Sequence, residues 1–529
     1  MSKNVLIGGA WPYANNSLHV GHIAGLISGD IIARYHRQIG DNVLYVSGTD
    51  CHGTPITIRA KKENKTPKEI AESYHEEFSK CFKDMQFSYD LYTKTMEPFH
   101  KQYVQELFKK MYDNGYIYEK NDLQPYCENC QKFVADREIV LTCPNCGRQT
   151  KGDMCDCGYE PKEEDLANGN CIECGNKVVL KDNKNLYLAL GKLQPRIEEY
   201  VEKTKQKWRP SSQNETDKYL REGLPEKAVT RNLEWGIDIP IPGFEDKKMY
   251  VWIEAVLGYV TACKKVCVDR GLNWEDYWKQ GNNNIVYMSH GKDNITFHTI
   301  ILPALLIALE DNYKLPDYMI ATQYLNINEE KISKSKGNGI TIRQMLDNYN
   351  SDMIRYYLVE IGPEKKDSNF SVDDFISIAN AEVVNKYGNL INRTLKYKGL
   401  TEIPAGKMDS NIKEFIIKTY RDVAEAIENL EFKKALLSIR ELVETGNKFY
   451  EEQQPWKQQK EDIESFNNTI YTCANIIANL SNLYEPFMPT SSQKVRDMLD
   501  IDKSSWDYIE VKNNYKLENI EPIFERIKE

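Results

Sequence analysis

The chain has 529 residues, 41% of them apolar and 28% charged. That is a globular composition too long for one domain, and about 150 residues per domain gives three or four. Its 69 basic and 79 acidic residues leave a net charge of −10, which excludes a generally basic nucleic-acid-binding surface but not a local basic groove. No export signal opens the chain, and its longest apolar run, 300–309, contains Pro303 and falls short of the ~20 residues that span a bilayer. A cytoplasmic protein without membrane attachment is expected.

Residues 4–9 (NVLIGG) read as a short strand ending in glycine. The turn-rich loop WPYANNS follows, and apolar residues then recur at helical spacing from Leu18 to Arg37. VLYVS at 43–47 reads as a second strand closed by GTDCHGTP, with a helix from about Pro67 to Phe82. Strand–helix–strand alternation predicts an α/β domain, a parallel sheet with helices on its faces. A cysteine-rich stretch interrupts it. Of 13 cysteines, eight lie in 127–174 as Cys127-x2-Cys130, Cys143-x2-Cys146, Cys155-x-Cys157 and Cys171-x2-Cys174. In a reducing compartment such pairs read as metal ligands, and eight thiolates fit two tetrahedral zinc sites with no position left open for catalysis. The segments 250–260, 284–294 and the run to Leu309 again look like strand, loop and helix, which makes the cysteine stretch an insertion. After residue 340 no strands are expected. From Val372 onward helical periodicity, as in 432–452 and 468–487, predicts a bundle.

Two motifs carry chemistry. In His19-Val20-Gly21-His22 the i, i+3 spacing puts both imidazoles on one face of a helix N-terminus, where free N–H groups and the helix dipole suit a phosphate chain. Gly21 leaves room for a flat ring against the backbone. The segment 331–338 (KISKSKGN) packs three lysines and two serines around a glycine, point charges and hydroxyls for phosphate, although alone it also reads as a solvated basic turn.

Together the two motifs form the paired signature of the class I aminoacyl-tRNA synthetases. The chain resembles the methionyl-tRNA synthetase family over nearly its whole length: AWPYANNSLHVGH at 10–22, TDCHGTP at 49–55, the cysteine pairs, YVWIEAVLGY at 250–259, GKDNITFH at 291–298, KISKS at 331–335, NKYGNLINR at 385–393 and QQPW at 453–456. The resemblance implies a Rossmann-like nucleotide-binding sheet with a zinc-binding insertion and a C-terminal helical bundle. It divides the chain into a first catalytic half at 1–116, a connective insertion at 117–225, a second catalytic half at 226–325, a KISKS and stem-contact region at 326–385 and an anticodon-binding domain at 386–529. The implied reaction activates L-methionine with ATP and Mg²⁺, then transfers it to the 3′ end of tRNA(Met).

By the same resemblance His19, His22, Lys331 and Lys334 act on the reacting phosphate, while Gly21, Gly291, Lys292, Asp293, Ser333 and Ser335 contact ATP. Asp50 pairs with the substrate ammonium and Arg231 contributes nearby. Tyr13, Trp252, Ala255, Tyr259 and His298 line the side-chain pocket, where rings suit a thioether. Trp11, Val256 and Asn294 stand where leucine, proline and isoleucine are usual, and Asn294 brings an amide that needs partners. Nested pairing assigns Cys143, Cys146, Cys155 and Cys157 to one zinc and Cys127, Cys130, Cys171 and Cys174 to the other. The x1 spacing of Cys155 and Cys157 departs from the pattern. Asn389, Arg393 and Trp456 match anticodon readers. A ligase for another amino acid would need an editing insertion for which there is little room, or an active-site metal. A non-catalytic RNA-binding scaffold would not need both motifs intact. The chain ends soon after the bundle with no further β-rich segment, so a monomer is expected.

Overall fold

The computed structural model describes residues 2–528 except 153–154, 156, 158, 160, 328–329, 332–339 and 519. Its first layer is built from β1 (Asn4–Gly9), β2 (Asn42–Thr49) and β3 (Leu91–Lys94). An insertion carried on the antiparallel pair β4 (Ile117–Cys127) and β5 (Val179–Leu188) intervenes before β6 (Asn284–Gly291) and β7 (Tyr318–Thr322). The five strands β1, β2, β3, β6 and β7 form one parallel sheet in the order β7–β6–β1–β2–β3. Strands buried on both faces read as unbroken apolar runs, as NVLIGG does. Val5, Ile7, Tyr45, Tyr287 and Ile320 face a core shared with α1 (Val20–Gln38) and the C-terminal helices. Leu6, Leu44, Val46, Val286, Met288 and Met319 face the opposite core. That second core holds α3 (Pro98–Asp113) and α4 (Val251–Arg270), while α2 (Pro67–Asp84) packs with α1.

Two expectations are corrected. Residues 250–260 are not a strand: α4 is helical from Val251, and every residue from Ile253 to Cys263 is buried. A helix without a polar face shows no 3.6-residue period, so only its apolar continuity is legible. Strands also recur after residue 340. Beyond the short strands β8 (Leu325–Ile327) and β9 (Glu330–Lys331), β10 (Ser368–Phe370) pairs parallel with β8, and Glu402–Ile403 pairs with Tyr515–Lys516.

The C-terminal third is helical as expected, with α5 (Ser351–Glu360), α6 (Asn389–Leu395), α7 (Ser410–Glu428), α8 (Phe432–Gln453), α9 (Pro455–Glu461) and α10 (Ile463–Tyr484). It is pinned to the sheet domain by Arg355 on α5. This buried guanidinium donates to Asp30 on α1 (2.7 Å) and to the carbonyls of Met85, Pro486 and Phe487. Burial alone would raise the Asp30 pKa, but Arg34 and Arg355 hold it far below the aspartate range. Among the described residues no helix is long and apolar enough to cross a membrane.

Candidate active site

In a parallel sheet, ligands bind beyond the carboxyl ends of the strands where the connections diverge to either side. Here β1 is central, flanked by β2 and β6, and the loops leaving these three strands and β7 converge on one cavity of about 970 Å³. The loop after β1 supplies Trp11, Tyr13, His19, Gly21 and His22, and the turn after β2 supplies Asp50. Gly291 at the end of β6, with Lys292, Asp293 and Asn294 beyond it, forms another wall, and α4 contributes Trp252, Ala255, Val256 and Tyr259. His298 and Arg231 complete the expected set. The insertion closes the cavity from above, through Gln124, Pro125 and Phe133.

His19 is the N-cap of α1, in extended conformation, and its N–H donates to Nδ1 of His22 at 3.0 Å. The two rings lie 3.7 Å apart. The helix N-terminus, the positive end of its dipole, therefore opens into the cavity beside both imidazoles. Just after the lysine-rich segment, Ile342 donates to the Leu18 carbonyl (2.9 Å) and Val20 to that of Ile340 (3.2 Å), which ties the exit of that segment to the histidine motif. The backbone of Lys331, in β9, pairs with Asn326 of β8, but Ser333, Lys334 and Ser335 lie outside the described residues, as does the Lys331 side chain.

Asp50 forms the floor. It is 3% exposed, and its Oδ1 has no hydrogen-bond partner among the described residues. Burial, and then the neighbouring Glu254, raise its pKa well above the aspartate range. A buried carboxyl oxygen with no donor is costly unless a ligand supplies one, and a cation would. Arg231 lines the same cavity, but its guanidinium donates to the carbonyls of Ala228 and Thr230 (both 2.9 Å) and stacks on Tyr250 at 4.1 Å.

The aromatic wall is ordered by hydrogen bonds. Tyr259 Oη lies 2.8 Å from His298 Nε2, and His298 Nδ1 lies 2.8 Å from the Asn294 carbonyl, inside a π-helical turn at Phe297–Ile301. His290 stacks on His298 at 4.2 Å. Burial, partly offset by that carbonyl, lowers the His298 pKa to about 4, so the ring is neutral; it donates from Nδ1 and accepts the Tyr259 hydroxyl. Trp252 packs edge-on against Phe297. The replacement of leucine by Trp11 has a local reason: its indole fills space over two glycines. A Cβ at Gly48 would come within 2.4 Å of the ring, and one at Gly258 within 2.5 Å. Asn294 is half-buried on the cavity wall, and nothing in the structure explains its choice over an apolar residue.

Tyr324, after β7, was not legible as functional. Its hydroxyl donates to Asp293, while the Lys292 ammonium sits 3.6 Å above its ring and pairs with Asp367 at 2.8 Å. His52, His100 and Glu254 are buried near Asp50 as well, and of the three only His52, within TDCHGTP, lies beside an expected site residue in sequence.

The eight cysteines fall into two clusters with the nested membership: Cys127, Cys130, Cys171 and Cys174, and Cys143, Cys146, Cys155 and Cys157. Within each cluster every Sγ lies within 4.8 Å of the others, and the close pairs measure 3.4, 3.7 and 3.6 Å. A tetrahedral zinc with Zn–S of about 2.3 Å separates its thiolates by about 3.8 Å, so both donor sets fit the ion. Gly147 and Gly175, each just after a second cysteine, adopt φ of 71° and 76°, the left-handed turn that brings both sulfurs of a pair to one side. The shorter Cys155–Cys157 spacing does not prevent the second cluster.

Away from the cavity, on the helical region, Asn389 and Arg393 lie one turn apart on α6. Arg393 pairs with Glu451 at 2.7 Å and stacks on Tyr450 at 4.1 Å. The Tyr450 ring lies 6.2 Å from that of Trp456, which is 43% exposed. The three expected anticodon residues thus share one surface.

The family model described as "tRNA synthetases class I (M)" matches residues 5–395, and that of the "Anticodon binding domain of methionyl tRNA ligase" matches 403–522. The chain is 44% identical to methionine–tRNA ligase 1 of Alkaliphilus oremlandii and 45% identical to methionine–tRNA ligase of Bacillus mycoides; each match covers 99% of this chain and 97% of the relative. The structure of Mycobacterium tuberculosis methionyl-tRNA synthetase in complex with methionyl-adenylate superposes with a TM-score of 0.80 over 99% of this chain and 100% of that one. At 23% identity that likeness speaks to the fold.

Proposed function

The chain belongs to the methionyl-tRNA synthetases, the class I methionine–tRNA ligases, and on that footing we propose that the cavity at the carboxyl ends of β1, β2 and β6 joins L-methionine to AMP before transfer to tRNA(Met). The observation that carries this reading is the pairing of opposites in one cavity: a buried carboxyl oxygen of Asp50 with no partner among the described residues at the floor, and two adjacent imidazoles, tilted against each other, on a helix N-terminus at the mouth. The first suits an ammonium. The second suits a phosphate chain.

Between them, a carboxylate held by its ammonium faces the α-phosphate of ATP. The nucleophile is ionised at neutral pH, so no general base is needed, and catalysis reduces to alignment and stabilisation of charge on the phosphate. His19 and His22 donate to the phosphate oxygens as pyrophosphate leaves, and Lys331 and Lys334 of the neighbouring segment add positive charge. Mg²⁺ brought in with the nucleotide would supply charge neutralisation for the pyrophosphate. Asp293 takes the ribose hydroxyls, in competition with Tyr324. Tyr13, Trp252, Ala255, Val256, Tyr259 and His298 surround the thioether, and the neutral His298 leaves that pocket without charge.

Zinc held by the two thiolate clusters would fold the insertion over the cavity, where it guides the acceptor end of tRNA. Asn389, Arg393 and Trp456 read the anticodon. Thirteen thiols, eight of them gathered for metal, accord with a reducing cytoplasm. A single-turnover assay of methionyl-adenylate formation tests the assignment. His22→Asn slows the chemical step by about 10²-fold or more, far more than it weakens methionine binding. An equal fall in binding would reassign His22 to the amino-acid pocket.

A further inference from the structure

Behind the cavity lies a second buried group that the reaction above does not use. Glu254 sits on α4 between Trp252 and Ala255, both of which line the cavity, yet it is itself 0% exposed. Its two carboxyl oxygens lie 2.9 and 3.0 Å from Nδ1 of His52, two residues beyond Asp50. Oε2 also lies 3.9 Å from Nε2 of His100 on α3.

The loop that carries Asp50 is held to its surroundings on several sides. Asp50 N–H donates to the Pro12 carbonyl, Cys51 N–H to Thr95 Oγ1, Trp235 Nε1–H to the Cys51 carbonyl and the Tyr13 hydroxyl to the His52 carbonyl. The His52–Glu254 contact ties this loop to α4, and so joins the ammonium end of the site to the side-chain end.

The charge of that tie can be worked out from its neighbours. Thr261 Oγ1 donates to the Gly258 carbonyl (3.2 Å), so it accepts from His100 Nδ1 at 2.8 Å. A neutral His100 then turns the lone pair of Nε2 toward Glu254, which repels a carboxylate and tolerates an acid proton. Among the described residues no lysine or arginine pairs with Glu254. The cation that acts on it, Lys101, sits 6.0 Å over the Trp235 ring, and that ring packs edge-to-face with His52. The remaining titratable neighbours are Asp50, another acid, and the Cys51 thiol, and neither supplies a cation. An ionised Glu254 would be a second uncompensated anion in a sealed space.

We propose that Glu254 is a positioning residue for methionine recognition: as a neutral carboxylic acid donating to His52, it fixes the Asp50 loop against α4 and leaves Asp50 the one anion of the amino-acid site. The proposal rests on the reading of Asp50 as the ammonium ligand. Burial pushes the Glu254 carboxyl well above its usual range and lowers both His52 and His100 to about 3, directions that agree with a protonated acid beside two neutral imidazoles.

Two measurements on the full-length protein test it. Infrared spectroscopy at neutral pH is expected to show the carbonyl band of a buried carboxylic acid that Glu254→Gln removes; a band unchanged by that substitution would mean that Glu254 is ionised, and would overturn the proposal. In pyrophosphate exchange, Glu254→Ala is expected to raise the KM for methionine about tenfold while the KM for ATP moves less than about twofold, and Glu254→Gln, which keeps a donor to His52, recovers most of that loss. Equal impairment in both variants, or a parallel rise in both KM values, would overturn it as well. Should Glu254→Ala fail to fold, Glu254→Gln and the infrared band still decide. If the unmodified chain shows no methionine-dependent exchange, the ammonium-ligand reading falls, while the band independently reports whether Glu254 is neutral.

Discussion

Replacing Asp50 by asparagine should move activity and stability in opposite directions. Among the described residues one of its oxygens has no partner, so in the free protein the buried carboxyl is a liability, and on the proposed reading methionine makes it half of a buried ion pair. Removing one partner of such a pair costs about 3–5 kcal/mol, which corresponds to a fall of roughly 150-fold to 5,000-fold in kcat/KM for methionine. Stability should shift the other way, because asparagine can still accept the His52 N–H that Asp50 accepts and carries no charge to bury. The pH dependence gives the sign. Burial and Glu254 raise the Asp50 pKa above its unfolded value, so the free protein keeps its full stability at and below the ordinary aspartate range and loses some as pH rises through the raised pKa. Asp50→Asn lacks that loss, and its advantage in melting temperature should widen with pH and narrow when methionine is added to the unmodified protein. Exchange kinetics and thermal melts across pH measure both. A less than tenfold loss of kcat/KM, or a melting temperature lowered at every pH, would refute the reasoning.

Three further outcomes follow from the geometry. Arg355→Met removes four buried hydrogen bonds and one of the two guanidiniums that neutralise Asp30, leaving Arg34 and Ser88, at a cost of about 3 kcal/mol in chemical denaturation. Because the Asp30 pKa is depressed, this stabilisation is present above the ordinary aspartate value of 3.8 and lost as pH falls below it, so the variant should show a flatter acid limb. Metal analysis should find two zinc ions per chain and one after Cys155→Ser, and chelation should expose the insertion to proteases while the parallel sheet keeps its protection. Trp456→Ala should lower aminoacylation of tRNA(Met) at least about tenfold relative to tRNA-independent exchange, the loss of one stacked base.

Much of the site was legible because it is local. β1, its loop and α1 are contiguous, and a strand that ends in glycine before a paired-histidine helix start has few other readings. Cysteine spacing shows the four pairs for the same reason, since a knuckle is a turn of a few residues, whereas the nested membership of the two clusters follows from the family resemblance and not from spacing. Residues 250–260 failed because a helix buried all round and a parallel strand both present unbroken apolar sequence. The strand at Ser368–Phe370 is three residues long and gains its register from β8, far earlier in the chain. Glu254 and His52 are 202 residues apart, and Tyr324 reaches Asp293 across 31. Contacts of that kind have no periodicity, and only the folded sheet brings them together.

The most direct test of methionine activation at this site is amino-acid-dependent exchange of labelled pyrophosphate into ATP, run with each of the twenty amino acids on zinc-loaded protein. Exchange with methionine alone is the expected result. Exchange with another amino acid would contradict the assignment of the pocket, and no exchange with any would contradict the assignment of His19 and His22 to the reacting phosphate.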